Sequence, residues 1–276
     1  MYLQIVDTFS RIADFRAAYP GFDRPAWRRY AQTISPSLGP MCEKDASAYD
    51  MEREVLPVLR YALGEGFARV EAAHQALSGM AAWLPDKMTA LAAIDFAPRI
   101  IFYLGLCNGA GWACELDGAP VILLGAEKIA ELGWHEPDAM ADLVCHELAH
   151  LIHFALRGNL TKPDRAVWQL YAEGFATRTS QLLYKENYYH LDQGGWLAFG
   201  QGHLAEIKAE YRWRWMSGEG TADFFGDWHQ VMGYSNLGYF LGCEWMRRLE
   251  KRMSLEAIAC LTAEEAAREL RAFLAG

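Results

Sequence analysis

In the stretch "CHELAHLIHFALRGN", residues 145–159, two histidines and a glutamate interrupt an otherwise apolar run. Leu143, Val144, Leu148, Leu151, Ile152, Phe154 and Ala155 surround them. A helix that is apolar nearly all round is buried, and a buried carboxylate without a partner is costly. A metal ion is one partner that would compensate Glu147. His146 and His150 are four residues apart, which on a helix puts them roughly 40° from each other on one face. Both rings can then reach a single ion at about 2 Å. Glu147 follows the first histidine directly and is badly placed as a third ligand, but it can reach a water on the ion from the side. His-Glu-x-x-His thus combines two ligands with one general base. The plain alternative is a helix whose two histidines are satisfied by hydrogen bonds.

A catalytic zinc needs a third protein ligand and an open position. A histidine six residues beyond His150, with a glycine three residues beyond, would be one source, but those places hold Leu156 and His153. His153 lies one turn further along the ligand face. It reads as a residue backing the ligands or lining a pocket wall, or else as a buried structural histidine. The other source is a glutamate on a following helix. In "WQLYAEGFATRTSQLL", Glu173 is flanked by Ala172, Gly174 and Ala176. Glycine inside a helix costs about 1 kcal/mol relative to alanine, and small residues there let another helix approach closely. The expected ligand set is His146, His150 and Glu173, with Zn2+ as the ion.

Several elements must position these side chains. Residues 1 to about 95 carry helical apolar spacing broken by glycines, with a possible kink at Pro57, and no grouping that suggests chemistry. They read as a helical region that packs on the rest of the chain. Near residue 98 the period changes: "RIIFYLGLC" is an apolar β-rich run, Asn108-Gly109 signals a hairpin, "GWACEL" returns, Asp117-Gly118 turns again and "PVILLG" runs out to Gly125. This pattern predicts a three-stranded antiparallel meander. A two-residue turn at Asn108-Gly109 would pair Cys107 with Ala110 rather than Cys114, which argues against a disulfide between the two cysteines. Pro137 and Gly158 stand where helices begin and end. Further helices are expected over about 163–184, 195–216, 237–251 and 263–274, the last opened by a Thr262/Glu265 capping box. The aromatic stretch "YRWRWMSGEGTADFFGDWHQ" reads as core, as a subunit contact or as a pocket wall.

"HELAH" and "AEGFA" resemble the motifs of gluzincins, the zinc peptidases with His-Glu-x-x-His and a downstream Glu ligand. The interval of 22 residues between His150 and Glu173 is longer than in gluzincin aminopeptidases, by about one helical turn in "LRGNLT". The aminopeptidases' Gly-x-Met-Glu-Asn strand is missing, and "LGAEKI" is at best a faint echo of it. The chain is more similar to a family of Zn-dependent proteases of unknown function, which combines a β-hairpin region, His-Glu-x-x-His, Glu-Gly-x-Ala and a late Gly-Tyr-x-x-Gly helix. The last element would be "GYFLG", residues 238–242, and the similarity spans roughly residues 98–252. The resemblance implies an α+β, mostly helical, gluzincin-like fold. Its small antiparallel meander would lie beside the HELAH helix, and a metallopeptidase domain over 96–276 would come after the helical region 1–95. It also implies a peptide or protein substrate paired with the meander's edge strand, and a tyrosine hydroxyl for the oxyanion, Tyr239 by motif or Tyr234 in "MGYSNLG". In many gluzincins a carboxylate four residues after the Glu ligand orients a ligand histidine; here that position is Thr177.

Bulk properties narrow the field. The chain has 276 residues, 52% hydrophobic and 22% charged, which is ample for a folded core. A net charge of −9 and the lack of a Lys/Arg run speak against nucleic acid. No apolar run suggests membrane insertion. The start "MYLQIVDTFSRIADFR" lacks a secretory pattern, and the six cysteines, with no Cys-x-x-Cys pair, read as reduced, buried thiols of a cytoplasmic protein. The expected activity is zinc-dependent peptide hydrolysis with Glu147 as base. Competing readings are a non-enzymatic zinc protein on the same fold and a hydrolase of non-peptide amides.

Overall fold

Ile100 to Tyr103 and Val121 to Leu124 are all buried, so the strands that carry them are covered on both faces. In the computed structural model, which describes residues 4–91 and 97–276, these strands form the centre of a four-stranded sheet. Strand β1 (Gln4–Asp7) pairs parallel with β2 (Arg99–Tyr103), and β2 pairs parallel with β4 (Ala119–Gly125). β3 (Gly111–Leu116) pairs antiparallel with β4 and forms an edge. The fold class is therefore α+β and mostly helical. The antiparallel meander is corrected to a mixed sheet of order β1-β2-β4-β3, in which β2 and β3 do not pair. Continuous apolar runs suit strands covered on both faces, where parallel pairing is common.

The Asn108-Gly109 hairpin fails because other groups capture the loop. Glu127 accepts the N–H groups of Gly105 (2.8 Å) and Cys107 (3.0 Å). The Asn108 side chain accepts the Leu106 N–H at 3.0 Å and donates to the Cys42 carbonyl and the Asp45 carboxylate, each at 2.9 Å. Cys107 and Gly109 take positive φ, and the Ala110 carbonyl accepts from Gly125 instead of facing Cys107. The second turn forms as expected. Asp117 and Gly118 both have positive φ, as a two-residue hairpin turn requires, and Leu116 faces Ala119. None of the six cysteines is in a disulfide; Cys42, Cys107, Cys145 and Cys243 are buried, Cys114 is half-buried and Cys260, against expectation, is exposed.

The chain divides into two compact units, Met1–Leu151 and Ile152–Gly276. In the first, β1 is followed by α1 (Phe9–Ala18), α2 (Arg24–Ile34), α3 (Leu38–Ala46), a π-helical turn (Met51–Val55), α4 (Leu56–Leu63), α5 (Phe67–Met80) and α6 (Leu84–Leu91). The expected helical region thus begins with a strand at Gln4–Asp7; the parts of that expectation at residues 1–3 and 92–96 lie outside the described residues. Pro57 stands in the first turn of α4, just after the wide turn, where its missing N–H costs little. The amphipathic α2 turns Trp27 and Tyr30 inward. Trp27 donates to the Leu104 carbonyl at 2.9 Å, and the Tyr30 hydroxyl accepts the Leu104 N–H at 2.9 Å. This fixes the chain where it leaves β2. After β4 come α7 (Ala126–Leu132) and α8 (Pro137–Arg157), which begins at Pro137 and ends before Gly158 in left-handed conformation. By length and composition α8 could cross a membrane, which was expected of no run in the chain, yet 83% of its apolar window is buried within the protein. The division between the units falls inside this helix.

The second unit continues with α9 (Arg165–Leu183), α10 (Trp196–Gly202), α11 (Leu204–Ser217), α12 (Leu237–Leu249), α13 (Leu255–Ala259) and α14 (Ala263–Ala275). Asp164 caps α9 through the Val167 N–H, and both halves of the Thr262/Glu265 capping box are present on α14. The single helix expected over 195–216 is broken at His203, which leaves the helical region at φ −125° and separates α10 from α11. α9 and α12 pack backbone against backbone: a Cβ on Gly174 would lie 2.5 Å from the Gly242 carbonyl group, and one on Gly242 would lie 2.7 Å from Gly174 Cα. The close approach inferred for Gly174 is real, but its partner is α12. Gly242 is thereby accounted for as a packing notch. The long aromatic stretch is split between roles, with Tyr211, Phe224 and Phe225 in the core and Trp213, Met216 and Trp228 exposed.

Gly174→Ala or Gly242→Ala should therefore destabilise the protein by about 1–3 kcal/mol, the usual cost of overpacking. The shift should appear in the urea midpoint with the slope unchanged. Gly79→Ala, in α5 with nothing near the added methyl, should be neutral or stabilising.

Candidate metal centre

Three groups of the HELAH segment are buried on α8: His146, Glu147 and His150 are 4%, 7% and 8% exposed. The two imidazoles lie edge to face with ring centroids 4.8 Å apart, as four-residue helical spacing allows. Glu173 is half-buried on α9. One ligand atom from each of His146, His150 and Glu173 lies within 4.8 Å of the others. Two neutral-capable imidazoles and a carboxylate, largely withdrawn from water, form a donor set that suits a divalent transition ion. A tetrahedral ion with bonds of about 2.1 Å places its ligands closer than this limit, so small side-chain rotations would bring them onto it. These residues can hold a metal ion.

Glu147 stands apart from this ligand group. Its Oε2 accepts the backbone N–H of Ala113, on strand β3, at 2.8 Å. Its side chain occupies the space that a Cβ on Gly111 would fill. The HELAH helix therefore lies beside the edge strand of the sheet, an arrangement expected from the resemblance although the sheet itself is differently ordered. Cys114, next along β3, is not in the ligand group; burial and the nearby Glu147 charge push its thiol up to about 12. Burial likewise raises the Cys145 thiol, adjacent to His146.

His153 is absent from the ligand group and fully buried. Its ring lies among those of Phe175 (4.3 Å), Tyr171 (4.8 Å) and Trp168 (5.5 Å). Of the roles the sequence left open, the structure places it in an aromatic box in the second unit. One turn further, buried Arg157 donates to the carbonyls of Leu261 (2.7 Å), Thr161 (3.0 Å) and Ala259 (3.3 Å), which ties down the end of α8. Thr177 is buried and its hydroxyl has no hydrogen-bond partner among the described residues, so it does not replace the orienting carboxylate of the resembled enzymes.

Both candidate tyrosines are half-buried. Tyr234 stacks on Phe199 with centroids 4.3 Å apart and closes a small loop through its bridge with Val231. Tyr239, in the first turn of α12, lies 5.8 Å from the Phe225 ring. Gly238 gives that phenylalanine its room, since a Cβ there would overlap its ring.

Two features of the site region escape sequence reasoning. Gly111 and Ala113 touch Glu147 from a strand 34 residues away, and only the glycine in "NGAGWA" hints at a close approach. Glu127, in the "LGAEKI" segment, is fully buried with its carboxyl pushed up by burial, an effect that the Gly105 and Cys107 N–H donors partly offset. Each of its oxygens accepts a backbone N–H, so it braces the loop that leads into β3.

Comparison of the chain with family models, with curated proteins and with solved structures finds no match. The metal assignment accordingly rests on donor chemistry and geometry. Zinc titration should saturate near one ion per chain. At free zinc about a hundredfold above Kd, binding should add about 2.7 kcal/mol of stability. His146→Ala and His150→Ala should each lose both the bound zinc by metal analysis and the zinc-dependent rise in Tm; undiminished zinc in both would refute the ligand set.

Proposed function

We propose that the protein is a zinc-dependent hydrolase of peptide bonds, of gluzincin type, with His146, His150 and Glu173 as metal ligands and Glu147 as general base. The observation that carries this reading is the pairing of a two-His, one-Glu donor group with a separate buried carboxylate. Holding a metal requires the first alone. The second is what hydrolysis needs in addition. Zinc in this donor set supplies Lewis acidity, which polarises a carbonyl and brings the pKa of a water toward neutrality. Glu147 takes the proton from the attacking water as the new C–O bond forms. It then delivers that proton to the amine nitrogen as the C–N bond breaks; the new carboxylic acid gives its remaining proton to the amine or to water, which leaves a carboxylate and a released amine. A tyrosine hydroxyl, Tyr239 or Tyr234, donates a hydrogen bond to the oxygen that gains charge. The outward polar groups of edge strand β3 other than the Ala113 N–H would align an extended peptide along the site.

A second reading, a zinc-binding protein without activity, is favoured by Thr177. The carboxylate that would orient a ligand histidine is missing there, and the hydroxyl makes no bond in its place among the described residues. Partners of metal-bound histidines commonly contribute tenfold or more to metal affinity or activity.

Glu147→Gln separates the two readings. It should keep its zinc and lose about 10²–10⁴-fold in peptide hydrolysis, the range for a general base. A zinc-loaded wild type that cleaves neither peptides nor other amides would establish the binding protein instead.

The tyrosines are separated in the same assay. Whichever hydroxyl serves the oxyanion should lose about a hundredfold in kcat on replacement by Phe, with zinc content and KM nearly unchanged. Tyr234→Phe keeps the stack on Phe199, so its fold should be intact. Less than about tenfold loss in both Tyr239→Phe and Tyr234→Phe would exclude this segment from the oxyanion role.

A further inference from the structure

Strand β3 offers its backbone to two sides. The Ala110 carbonyl accepts from Gly125, and Leu116 and Ala119 flank a two-residue turn, so Ala110, Trp112, Cys114 and Leu116 turn their polar groups toward β4. Gly111, Ala113 and Glu115 turn theirs to the open edge. One of these outward groups, the Ala113 N–H, is already used by Glu147 Oε2 at 2.8 Å. Two residues earlier on the strand, a Cβ at Gly111 would lie 2.5 Å from both Cγ and Oε1 of Glu147 and 2.7 Å from Cδ. No real contact is that short, so any side chain at 111 would evict the carboxylate. Gly111 does not have positive φ. Its backbone would accept alanine, and a glycine inside a strand normally weakens it. The space is what the glycine provides.

We propose that Gly111 and the Ala113 N–H form a cradle on the sheet edge that positions the Glu147 carboxylate, with Gly111 as a positioning residue for the general base. The N–H holds Oε2, which leaves Oε1 to exchange a proton with water and leaving amine. The Cγ and carboxyl group of Glu147 fill the space that a β-carbon at 111 would need. The single N–H donor fixes one carboxylate oxygen and with it the orientation of the whole group. Because β3 is held by β4 from Gly111↔Leu124 to Leu116↔Ala119, the cradle is as rigid as the sheet. This inference rests on the hydrolase reading for its catalytic meaning, though not for its structural content.

Two variants test it on the zinc-loaded protein. Gly111→Ala fills the space. Ala113→Pro removes the N–H, and since that group faces the open edge, the ladder to β4 loses no bond. Both should retain one zinc and the wild-type Tm within a few degrees. Both should lose at least about tenfold in kcat with KM changed less than about threefold, and neither should slow a Glu147→Gln background further. A second readout needs no activity: in 15N-labelled metal-free protein, the Ala113 amide should be shifted downfield and protected from exchange, and should lose both properties in Gly111→Ala and in Glu147→Ala. An inert wild type would sink the hydrolase reading and leave the amide to decide the cradle. An Ala113 amide unchanged in Gly111→Ala, or a cleaving wild type whose kcat survives both substitutions, overturns the proposal.

Discussion

Ionisable groups withdrawn from water need partners, and that requirement governs this molecule around α8. A helix with the composition of Pro137–Arg157 gains stability by burial, yet it takes two imidazoles and a carboxylate inward with it. Each buried polar group left without a partner would cost about 1–3 kcal/mol or more. Glu147 meets the requirement through a backbone N–H of the sheet edge. The two histidines meet it in the company of Glu173, as a group that can share one cation. Arg157, at the end of the same helix, meets it with three carbonyls.

The same logic recurs at Glu127, and there its outcome is structural. That carboxyl is as deeply buried as any group in the chain, but its two oxygens are consumed by the loop N–H groups of residues 105 and 107. Glu147 spends one oxygen on the backbone and keeps the other. Two carboxylates in one unit thus divide into a brace and a candidate base according to how many donors surround each. Burial alone would not distinguish them.

Close backbone approaches set the positions of these side chains. In the first unit, the bare Cα of Gly111 lets the Glu147 side chain lie against β3. In the second, Gly174 and Gly242 let α9 and α12 touch at their backbones, and Glu173 is held on α9 beside that contact. A methyl group at either place is a small change in composition and a large one in geometry: at 111 it would displace the Glu147 side chain, and at 174 or 242 it would push apart two backbones that cannot give way cheaply.

Much of the local structure was legible in the chain. Pro137 and Gly158 bound the HELAH helix, Asp117-Gly118 makes its turn, Thr262 and Glu265 cap the last helix, and four-residue spacing sets His146 beside His150. These signals act over one to five residues, so the sequence carries them whole. Which strands pair was not legible. Apolar runs such as "RIIFYLGLC" satisfy a parallel or an antiparallel neighbour equally, and the Asn-Gly signal lost to acceptors on Glu127, Cys42 and Asp45, up to 66 residues away in the chain. The donor chemistry is written in the chain: two imidazoles on one helical face, a carboxylate beside them and another downstream. That the neighbour of Gly174 is Gly242, that Glu127 is a brace and that Glu147 rests on the edge of the sheet emerges only in the folded chain, because each depends on contacts between segments far apart in sequence.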